Sequence, residues 1–330
     1  MSNDRYVKSN FRFEITKIED SRELMNKIRN KQTLVYPSHE PNYLNAISNF
    51  SNCRLIIVYE DEVEIGYVPT YISRIGHLIQ YANLEIPSEI ITKNYLNFFN
   101  SLYKFVIRNY TIFNFVFNFL DPMKSKSFEL LNKHNILRSE FRTFIIDGNW
   151  NPSGDVLYYI RKGIKNKLRA LEKPTDSDIM TYFQSCVMNS RTRKGIGNIK
   201  SDEIDNLIHL YKFLIDNNSG ILNLIVNDHD VVVSGAFFLY NKMVCTYFNA
   251  GNSEIGLKLG GSYLSIYNGV NYALKHGMYF DIAGSYLKRS ETYEKLYEFK
   301  KKWGTEVDVS QYIGGSNCMV NKFLKMKRKV

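Results

Sequence analysis

The spacing of apolar and polar residues predicts a chain of alternating helices and strands. In the first half, helical spacing appears in segments of eight residues or more, at 20–32, 36–48 (after an initial turn), 93–108 and 127–135. β-branched and aromatic runs predict strands at 53–73, 111–122 and 141–149, the first of them a hairpin that turns at Glu60-Asp61. The stretch NWNPSGD at 149–155 is rich in turn-forming residues and predicts a linker.

The second half repeats this order of elements. Helices are predicted at 156–172, 202–217, 262–276 and 291–303. Strands are predicted three times within 220–251 and again at 278–285 and 306–315. The repetition predicts an α/β fold in which one unit is used twice, with a mixed, mostly antiparallel sheet flanked by helices in each domain. We place the domains at 1–150 and 151–330, with the site between or inside them.

Composition fits a folded chain with an uneven charge. Of 330 residues, 44% are hydrophobic and 14% aromatic, which is enough for a full core. The net charge is +10, and residues from 149 onward carry 25 Lys+Arg against 17 Asp+Glu. The excess in the second half indicates an anionic ligand such as a nucleotide, coenzyme or RNA, or only a soluble surface.

The four cysteines, Cys53, Cys186, Cys245 and Cys318, are far apart and form no Cys-x-x-Cys or Cys/His cluster. We therefore expect reduced thiols, no metal and a cytoplasmic protein. The first ten residues are polar, and no apolar run reaches the length of a membrane span, so we expect no leader and no integral membrane segment.

The segment GLKLGGS at 256–262 predicts a glycine turn that opens a helix. Gly260 and Gly261 would let the backbone approach a ligand, and Ser262 would cap the helix. If the flanking strands are parallel, the N–H groups of the helix start form an anion site. An ordinary glycine turn is the alternative.

The segment YEFKKKWG at 297–304 places three lysines between Phe299 and Trp303. Cations are favourable at a helix C-terminus, and Lys301 and Lys302 suit that role. Lys300 is either a further charge of this kind or a charged group aimed at a reaction.

Taken in order, these segments resemble the Fem peptidyltransferases and their relatives with two GNAT acyltransferase units. The resemblance rests on the Phe299-Lys300 pair, on FLDP at 119–122, on the run from TYFNAG to FDIAGS, and on the basic helix that contains Lys165 and Arg169. The resemblance implies acyl transfer to an amine, with Lys300 stabilising developing charge. Asp121 would lie in the substrate cleft as a catalytic residue that takes or relays the amine proton or orients the amine. A turn or helix-capping role is the alternative for Asp121.

Other site residues follow from the same comparison. Acyl-coenzyme A as co-substrate, with no tightly bound cofactor, would bind the glycine turn and the backbone before it; the residues are Phe248, Asn249, Lys258, Gly260, Gly261 and Ser262. Substrate contacts are expected from aromatic and charged residues of both halves: Tyr36, Tyr43, Lys165, Arg169, Asp281 and Phe299. Lys165 and Arg169, four residues apart, would share a helix face, and a structural hydrogen-bonding role is the alternative for Asp281.

Two further segments are candidates. His39, on a turn, has the right pKa range for a base, although a structural turn histidine is the alternative. SRTRKGIGN at 190–198 would be a phosphate-binding loop or a plain surface loop.

Two departures limit the resemblance. Family members that bind a muramyl nucleotide carry a Lys three residues after an aromatic, where this chain has Ala46 after Tyr43, and the glycine turn has Leu257 in place of the usual Gln or Arg. We therefore expect an enzyme that moves an acyl group from acyl-coenzyme A to a nucleotide-linked amino sugar for surface polysaccharide (O-antigen or capsule). The alternatives are an aminoacyl-tRNA-dependent peptidyltransferase of cell-wall precursor synthesis and a non-catalytic binding module, and none of them requires DNA.

Overall fold

The computed structural model describes residues 10–30, 36–75, 79–86, 90, 92, 94–120, 129, 131, 134, 136–139, 141–195, 197, 199–286, 291–309, 311–317, 320–322 and 324. The chain divides into two compact units. The first unit is Met1–Glu140 together with Val309–Val330, and the second unit is Phe141–Asp308.

The first unit contains a seven-stranded sheet in the order β1-β2-β3-β4-β5-β15-β6. Its strands are β1 (Phe11–Lys17), β2 (Cys53–Glu60), β3 (Val63–Ile75), β4 (Ile79–Ile86), β5 (Ile112–Phe117), β6 (Leu137–Ser139) and β15 (Gln311–Gly315). Its described helices are α1 (Arg22–Arg29), α2 (Pro41–Ser48) and α3 (Tyr95–Asn109), with 3-10 turns at Glu19–Ser21 and Pro37–His39. Among the described strands of this unit, β4 and β5 are the pair that runs in parallel, because α3 crosses over between them.

The core of the first unit lies between α3 and one face of the sheet. Phe98, Phe99 and Leu102 line the inner face of α3 and are fully buried. They pack against alternate residues of β5, among them Phe113 and Phe115. This alternation sends every second residue of β5 to the opposite face, which carries Asn114.

The second unit contains an eight-stranded sheet in the order β13-β7-β12-β11-β10-β9-β8, with β14 also paired to β7. Its strands are β7 (Phe141–Ile146), β8 (Arg169–Ala170), β9 (Gly220–Val226), β10 (Val232–Tyr240), β11 (Val244–Asn252), β12 (Tyr279–Asp281), β13 (Ser285–Tyr286) and β14 (Thr305–Asp308). Its helices are α4 (Gly154–Lys165), α5 (Asp176–Thr181), α6 (Met188–Arg193), α7 (Ser201–Asp216), α8 (Glu254–Leu259), α9 (Gly261–Lys275) and α10 (Glu291–Lys301), and a π-helix (Tyr182–Val187) joins α5 to α6.

The core of the second unit is rich in aromatic residues. Trp303 is buried beneath Tyr263 and Phe299, and Trp150 stacks parallel to it at 6.1 Å between ring centroids. Trp150 Nε1 also donates a hydrogen bond to the Trp303 carbonyl. The segment 149–155, predicted as a linker, is therefore fastened to the end of α10.

The predicted fold class is confirmed, since each unit has a mixed and mostly antiparallel sheet with flanking helices. The observed division differs from the predicted boundary at residue 150 in two places. β7 pairs with β12, β13 and β14 of the second unit, and β15 lies between β5 and β6 of the first. The predicted single strand at 306–315 is in fact two strands, β14 and β15, that enter different sheets.

Within the described residues, no helix is long and apolar enough to span a bilayer. The same residues contain no group of three or more His, Cys, Asp or Glu side chains that could hold a metal ion.

Candidate functional site

Lys300 is the one lysine of the KKK run that points inward. It is 5% exposed, whereas Lys301 and Lys302 are exposed on the same helix end. The Lys300 Nζ donates a hydrogen bond of 3.0 Å to the Gly284 carbonyl and lies 5.7 Å from the centre of the Tyr247 ring. Lys302 forms an ion pair with Asp155 instead. The structure thus separates a buried charge from two solvated ones.

Burial lowers the pKa of Lys300 to about 8, because the charged form loses its hydration. The carboxylate of Asp281 acts in the opposite direction and favours the charged form, while the charge of Lys194 lowers the pKa further. Lys300 is therefore mostly protonated at neutral pH, and its charge is easily altered by a neighbouring anion.

Asp281 ends β12 and is 3% exposed. Its Oδ1 accepts hydrogen bonds from the Thr143 hydroxyl and, at 2.9 Å, from the backbone N–H of Ala283. Ala283 has a φ of 60°, which is unusual for a residue with a Cβ, so this carboxylate holds a strained turn beneath Gly284. The expected structural hydrogen bonding of Asp281 and its charge near Lys300 are both present.

A β-bulge in β11 lies directly after Tyr247. Phe238 pairs with Tyr247 and Phe237 pairs with Asn249, so the register skips Phe248. β11 pairs in parallel with β12 over Val244 to Thr246, but β11 continues to Asn252 after β12 has ended at Asp281. β11 therefore extends past the end of β12 beside the bulge. This unpaired edge lies close to the Tyr247 ring, which Lys300 faces.

A cavity of about 370 Å³ lies against this bulge. Its lining consists of an apolar wall, the bulge and a basic rim: Val187, Ile199, Leu207, Phe248, Asn249, Ala250, Ser190, Arg191 and Lys194. Asn249 is fixed by a 2.9 Å hydrogen bond from its amide nitrogen to the Tyr211 hydroxyl. Burial first, and then the charges of Arg193 and Arg191, lowers the pKa of Lys194. This rim suits an anionic group, and the wall suits an apolar one.

The sequence prediction placed Lys300, Asp281, Phe248 and Asn249 in the site, and the structure collects them in one region of the second unit. It also adds Tyr247, which precedes the bulge and was missed because a tyrosine in a strand carries no distinctive spacing. SRTRKGIGN was predicted as a loop, but α6 runs to Arg193, and Arg193 hydrogen-bonds the Asn252 carbonyl and the Ser190 hydroxyl. Phe299 packs against Tyr263 and Trp303 and supports Lys300 from the core side.

The glycine turn is built differently from the prediction. The flanking strands are parallel, but α8 separates β11 from the turn, and Gly260 rather than Ser262 occupies the N-cap position of α9. A Cβ at Gly260 would lie 2.6 Å from the Tyr159 carbonyl oxygen, and one at Gly261 would lie 2.9 Å from the Ser234 Cβ. Close packing of α4 and β10 therefore explains both glycines, while Lys258 is exposed on α8.

Lys165 and Arg169 do not share a helix face. α4 ends at Lys165, Lys167 takes a left-handed φ of 57°, and Arg169 begins β8. The backbone N–H of the buried Leu168 donates a hydrogen bond to the Gly163 carbonyl, and this bond caps the C-terminal end of the helix. Arg169 is exposed and forms an ion pair with Asp230, so the predicted basic helix face was wrong.

Three predicted residues of the first unit are described and one is not. His39 is buried in the turn Pro37–His39, with Nε2 3.1 Å from Glu85 Oε2 and its carbonyl accepting from the Tyr67 hydroxyl at 2.8 Å. Tyr36 contacts the His39 and Phe119 rings, and Tyr43 is buried on α2. Asp121 lies outside the described residues.

No protein-family model matches the chain. Aminoacyltransferase FemA of Staphylococcus epidermidis is 30% identical over 98 residues, which is 28% of this chain and 23% of that protein. The matched segment thus spans less than a quarter of the curated relative.

Among solved structures, the crystal structure of FemX aligns with a TM-score of 0.68 at 13% identity, over 95% of this chain and 99% of that one. A tandem GNAT protein from the clavulanic acid biosynthesis pathway aligns with a TM-score of 0.55 at 6% identity, over 94% and 99% of the two chains. At these identities the structural likeness establishes the fold. This chain has the tandem GNAT fold of the FemAB-like proteins.

Proposed function

We propose that this protein is an acyltransferase that moves an acyl group to an amine, with the chemistry at Lys300 in the second unit. The observation that carries the proposal is the buried Lys300 ammonium, which lies 5.7 Å from the Tyr247 ring and next to the bulge at Phe248. A structural lysine at a helix end would be solvated, as Lys301 is.

Acyl transfer needs positive charge where the oxyanion and the leaving group develop negative charge. A protonated Lys300 supplies that charge without the cost of reorganising water. The cavity beside the bulge offers space for the acyl group, and Arg191 and Lys194 on its rim suit a phosphate-bearing donor.

Of the two donor classes, an aminoacyl-tRNA is favoured over acyl-coenzyme A. The segment matched to aminoacyltransferase FemA and the whole-chain likeness to FemX support the Fem-type reading. Gly260 and Gly261, which were expected to bind a coenzyme pyrophosphate, instead pack closely against α4 and β10. A nucleotide-linked amino sugar as acceptor, and the polysaccharide pathway that it implies, stay predictions.

Acyl-coenzyme A remains the second candidate because β11 and β12 are parallel and separate beyond Asp281. The assignment of the first unit to the acceptor and of the second unit to the donor is part of this proposal. The proposal also places the protein in the cytoplasm, where either activated donor is available.

The test compares donors and variants in one transfer assay. The full chain is incubated with a mixture of radiolabelled aminoacyl-tRNAs or with labelled acetyl-coenzyme A, and with amine acceptors that include an amino-terminated cell-wall peptide and a nucleotide amino sugar. Lys300→Met should lower turnover about a hundredfold or more, in the range found when one stabiliser of transition-state charge is removed. Lys301→Met, one residue away and exposed, is the matched control and should keep full turnover.

Transfer from aminoacyl-tRNA that weakens steeply with added salt would support the favoured donor. Transfer from acetyl-coenzyme A alone would replace it with the second candidate. Equal turnover of Lys300→Met and the parent chain would remove Lys300 from the chemistry. Absence of transfer from every donor in the parent chain would leave a binding module as the better description.

A further inference from the structure

β1 forms one edge of the first unit's sheet. It stands at the end of the strand order and pairs with β2 on one side; within the described residues, no strand pairs with its other side. The strand is seven residues long, and its side chains are partly or fully exposed. An edge of this kind presents a row of backbone N–H and C=O groups to which a further strand can pair.

One hydrogen bond shows which backbone groups of β1 point to the free edge. The Asp61 N–H donates to the Asn10 carbonyl at 3.0 Å, so the residue before β1 turns its backbone groups toward β2. In an antiparallel pair this direction alternates from residue to residue. The even-numbered residues of β1 therefore also face β2, and the free edge receives the backbone groups of Phe11, Phe13 and Ile15.

The side chains of these odd-numbered residues form an apolar row on the α3 side of the sheet. The Phe11 and Phe13 rings lie 5.9 and 6.2 Å from the Phe98 ring, and the Phe13 ring lies 5.3 Å from the Phe105 ring. Ile15 follows them in the same row but remains 39% exposed. The apolar row thus reaches the free edge and is only partly covered there.

The opposite face of β1 carries two charges of opposite sign. The Arg12 and Glu14 side chains are 48% and 55% exposed, and Arg12 Nη1 lies 3.3 Å from Glu14 Oε2. The Arg12 guanidinium also lies 3.7 Å above the centre of the Tyr59 ring, which holds it at the edge. Charged side chains protect an edge strand against unselective pairing. Opposite charges two residues apart can also select one particular pairing.

Two copies of β1 related by a twofold axis can pair in several antiparallel registers. A register centred on Phe13 sets Arg12 of each copy opposite Glu14 of the other. Registers centred on Arg12 or on Glu14 set like charges directly opposite each other, which is unfavourable. A register centred on Ile15 sets Glu14 opposite Thr16 and forms no charge pair. The order of charges therefore favours the pairing centred on Phe13.

We infer that β1 is a self-association surface, and that two copies of this chain join their first-unit sheets by antiparallel pairing of β1 about Phe13. Arg12 and Glu14 would form two ion pairs between the copies. Phe11 of each copy would cover the exposed Ile15 of the other, and the outward backbone groups would exchange hydrogen bonds. A single strand pair is a small interface, so we expect a dissociation constant of about 10–100 μM. The inference does not rest on acyl transfer at Lys300.

Sedimentation velocity of the full chain, from about 1 to 300 μM, tests the association. We expect a shift from monomer to dimer across this range. Arg12→Glu and Glu14→Arg each set like charges opposite each other twice, so each should weaken association by roughly tenfold or more. The double variant, Arg12→Glu with Glu14→Arg, restores opposite charges in the same register and should associate as the parent chain does.

Two further variants separate this pairing from general effects of charge and of folding. Arg161→Glu makes the same charge change at an exposed position of α4 in the second unit, and it should associate as the parent chain does. Ile15→Pro removes a backbone N–H that points to the free edge, where proline is tolerated, so it should abolish association in a folded chain. Circular dichroism verifies the fold of each variant.

Three results would overturn the inference. The first is a chain that stays monomeric at every concentration. The second is a dimer that neither charge reversal weakens. The third is a loss of association in both single variants that the double variant does not restore, because the charges would then not lie opposite each other. The charge reversals keep the test decisive even where the proline variant does not fold.

Discussion

At the scale of single residues, the burial of the Lys300 ammonium has an energetic cost that can be measured. Its pKa falls from an ordinary 10.5 to about 8, so the protonated side chain is more stable in the unfolded chain than in the folded one. The attraction of Asp281 offsets only part of this cost. Such a penalty, kept at a helix end where solvated lysines are available, is typical of a functional group.

This penalty predicts that Lys300→Met unfolds at a higher temperature than the parent chain near pH 7. The difference in unfolding free energy should be roughly 3 kcal/mol. The unfolded chain binds the extra proton between pH 8 and about 10.5, so the parent chain gains stability as pH rises through that window, and the difference should shrink there. Denaturant titrations of both proteins from pH 6 to pH 10 measure it.

Lys301→Met serves as the control and should show no such pH-dependent difference, since Lys301 is exposed. A Lys300→Met variant that is less stable than the parent chain at pH 7 would mean that the Asp281 interaction outweighs the loss of hydration.

At the scale of elements, the opening beside Lys300 depends on how β11 meets the π-helix. A Cβ at Gly251 would lie 2.4 Å from the Val187 N and 2.6 Å from the Cys186 carbonyl carbon, so strand and helix backbones touch there. A π-helix has about one residue more per turn than an α-helix. Here it places Val187 in the wall of the cavity. The bulge at Phe248 and the π-helix are therefore two irregular elements that shape one cavity.

Gly251→Ala is predicted to separate this pair of backbones. We expect a loss of about 1–3 kcal/mol in unfolding free energy, from overpacking against atoms that cannot rotate away. The cavity wall would move with the π-helix, so transfer activity should fall by more than the loss of folded protein explains. Thermal unfolding and the transfer assay at a temperature where both proteins are folded measure the two effects.

Gly148→Ala provides the comparison, because a Cβ there meets no heavy atom within 4 Å. Full activity and stability in Gly251→Ala would show that the π-helix accommodates a methyl group by a small shift.

At the scale of the whole molecule, the chain returns to its first unit at the end. β15 pairs with both β5 and β6, and its Tyr312 is fully buried in the first core. The second unit is one continuous segment, Phe141–Asp308, inserted between β6 and β15. The two units therefore differ in how they can be cut from the chain.

A chain of residues 1–308 should lose the folded first unit, because β5 and β6 would each lose a partner strand. A fragment of residues 141–308 should unfold in one cooperative transition and keep the hydrogen bond between Lys300 and Gly284. Scanning calorimetry and limited proteolysis of the two fragments and of the full chain measure this. Two intact transitions in the 1–308 fragment would show that β15 is dispensable.

Several elements could be predicted from sequence because their signals are local, and part of the site around Lys300 was expected from the family resemblance. The strands of 220–251 and the helix that starts after Gly260 follow from alternation and from glycine. Lys300, which is buried, was expected in the site because the Phe299-Lys300 pair resembles the Fem family. β4 was not predicted. The end of α4 at Lys165 was not predicted either, because it depends on the burial of Leu168 and on the hydrogen bond from its N–H to the Gly163 carbonyl. The contact between Glu85 and His39 could not be predicted, since the two residues are 46 positions apart in the chain.

The sequence by itself determined that this protein is an α/β chain of two similar units with a basic second half, because side-chain periodicity and charge are properties of short segments. Only the tertiary structure decided which sheet β7 and β15 join, that the glycines at 260 and 261 serve packing, and that Lys300, Asp281 and the bulge at Phe248 meet. The physical reason is that strand pairing, burial and electrostatic coupling join residues that are distant in the chain, and local periodicity carries no record of them.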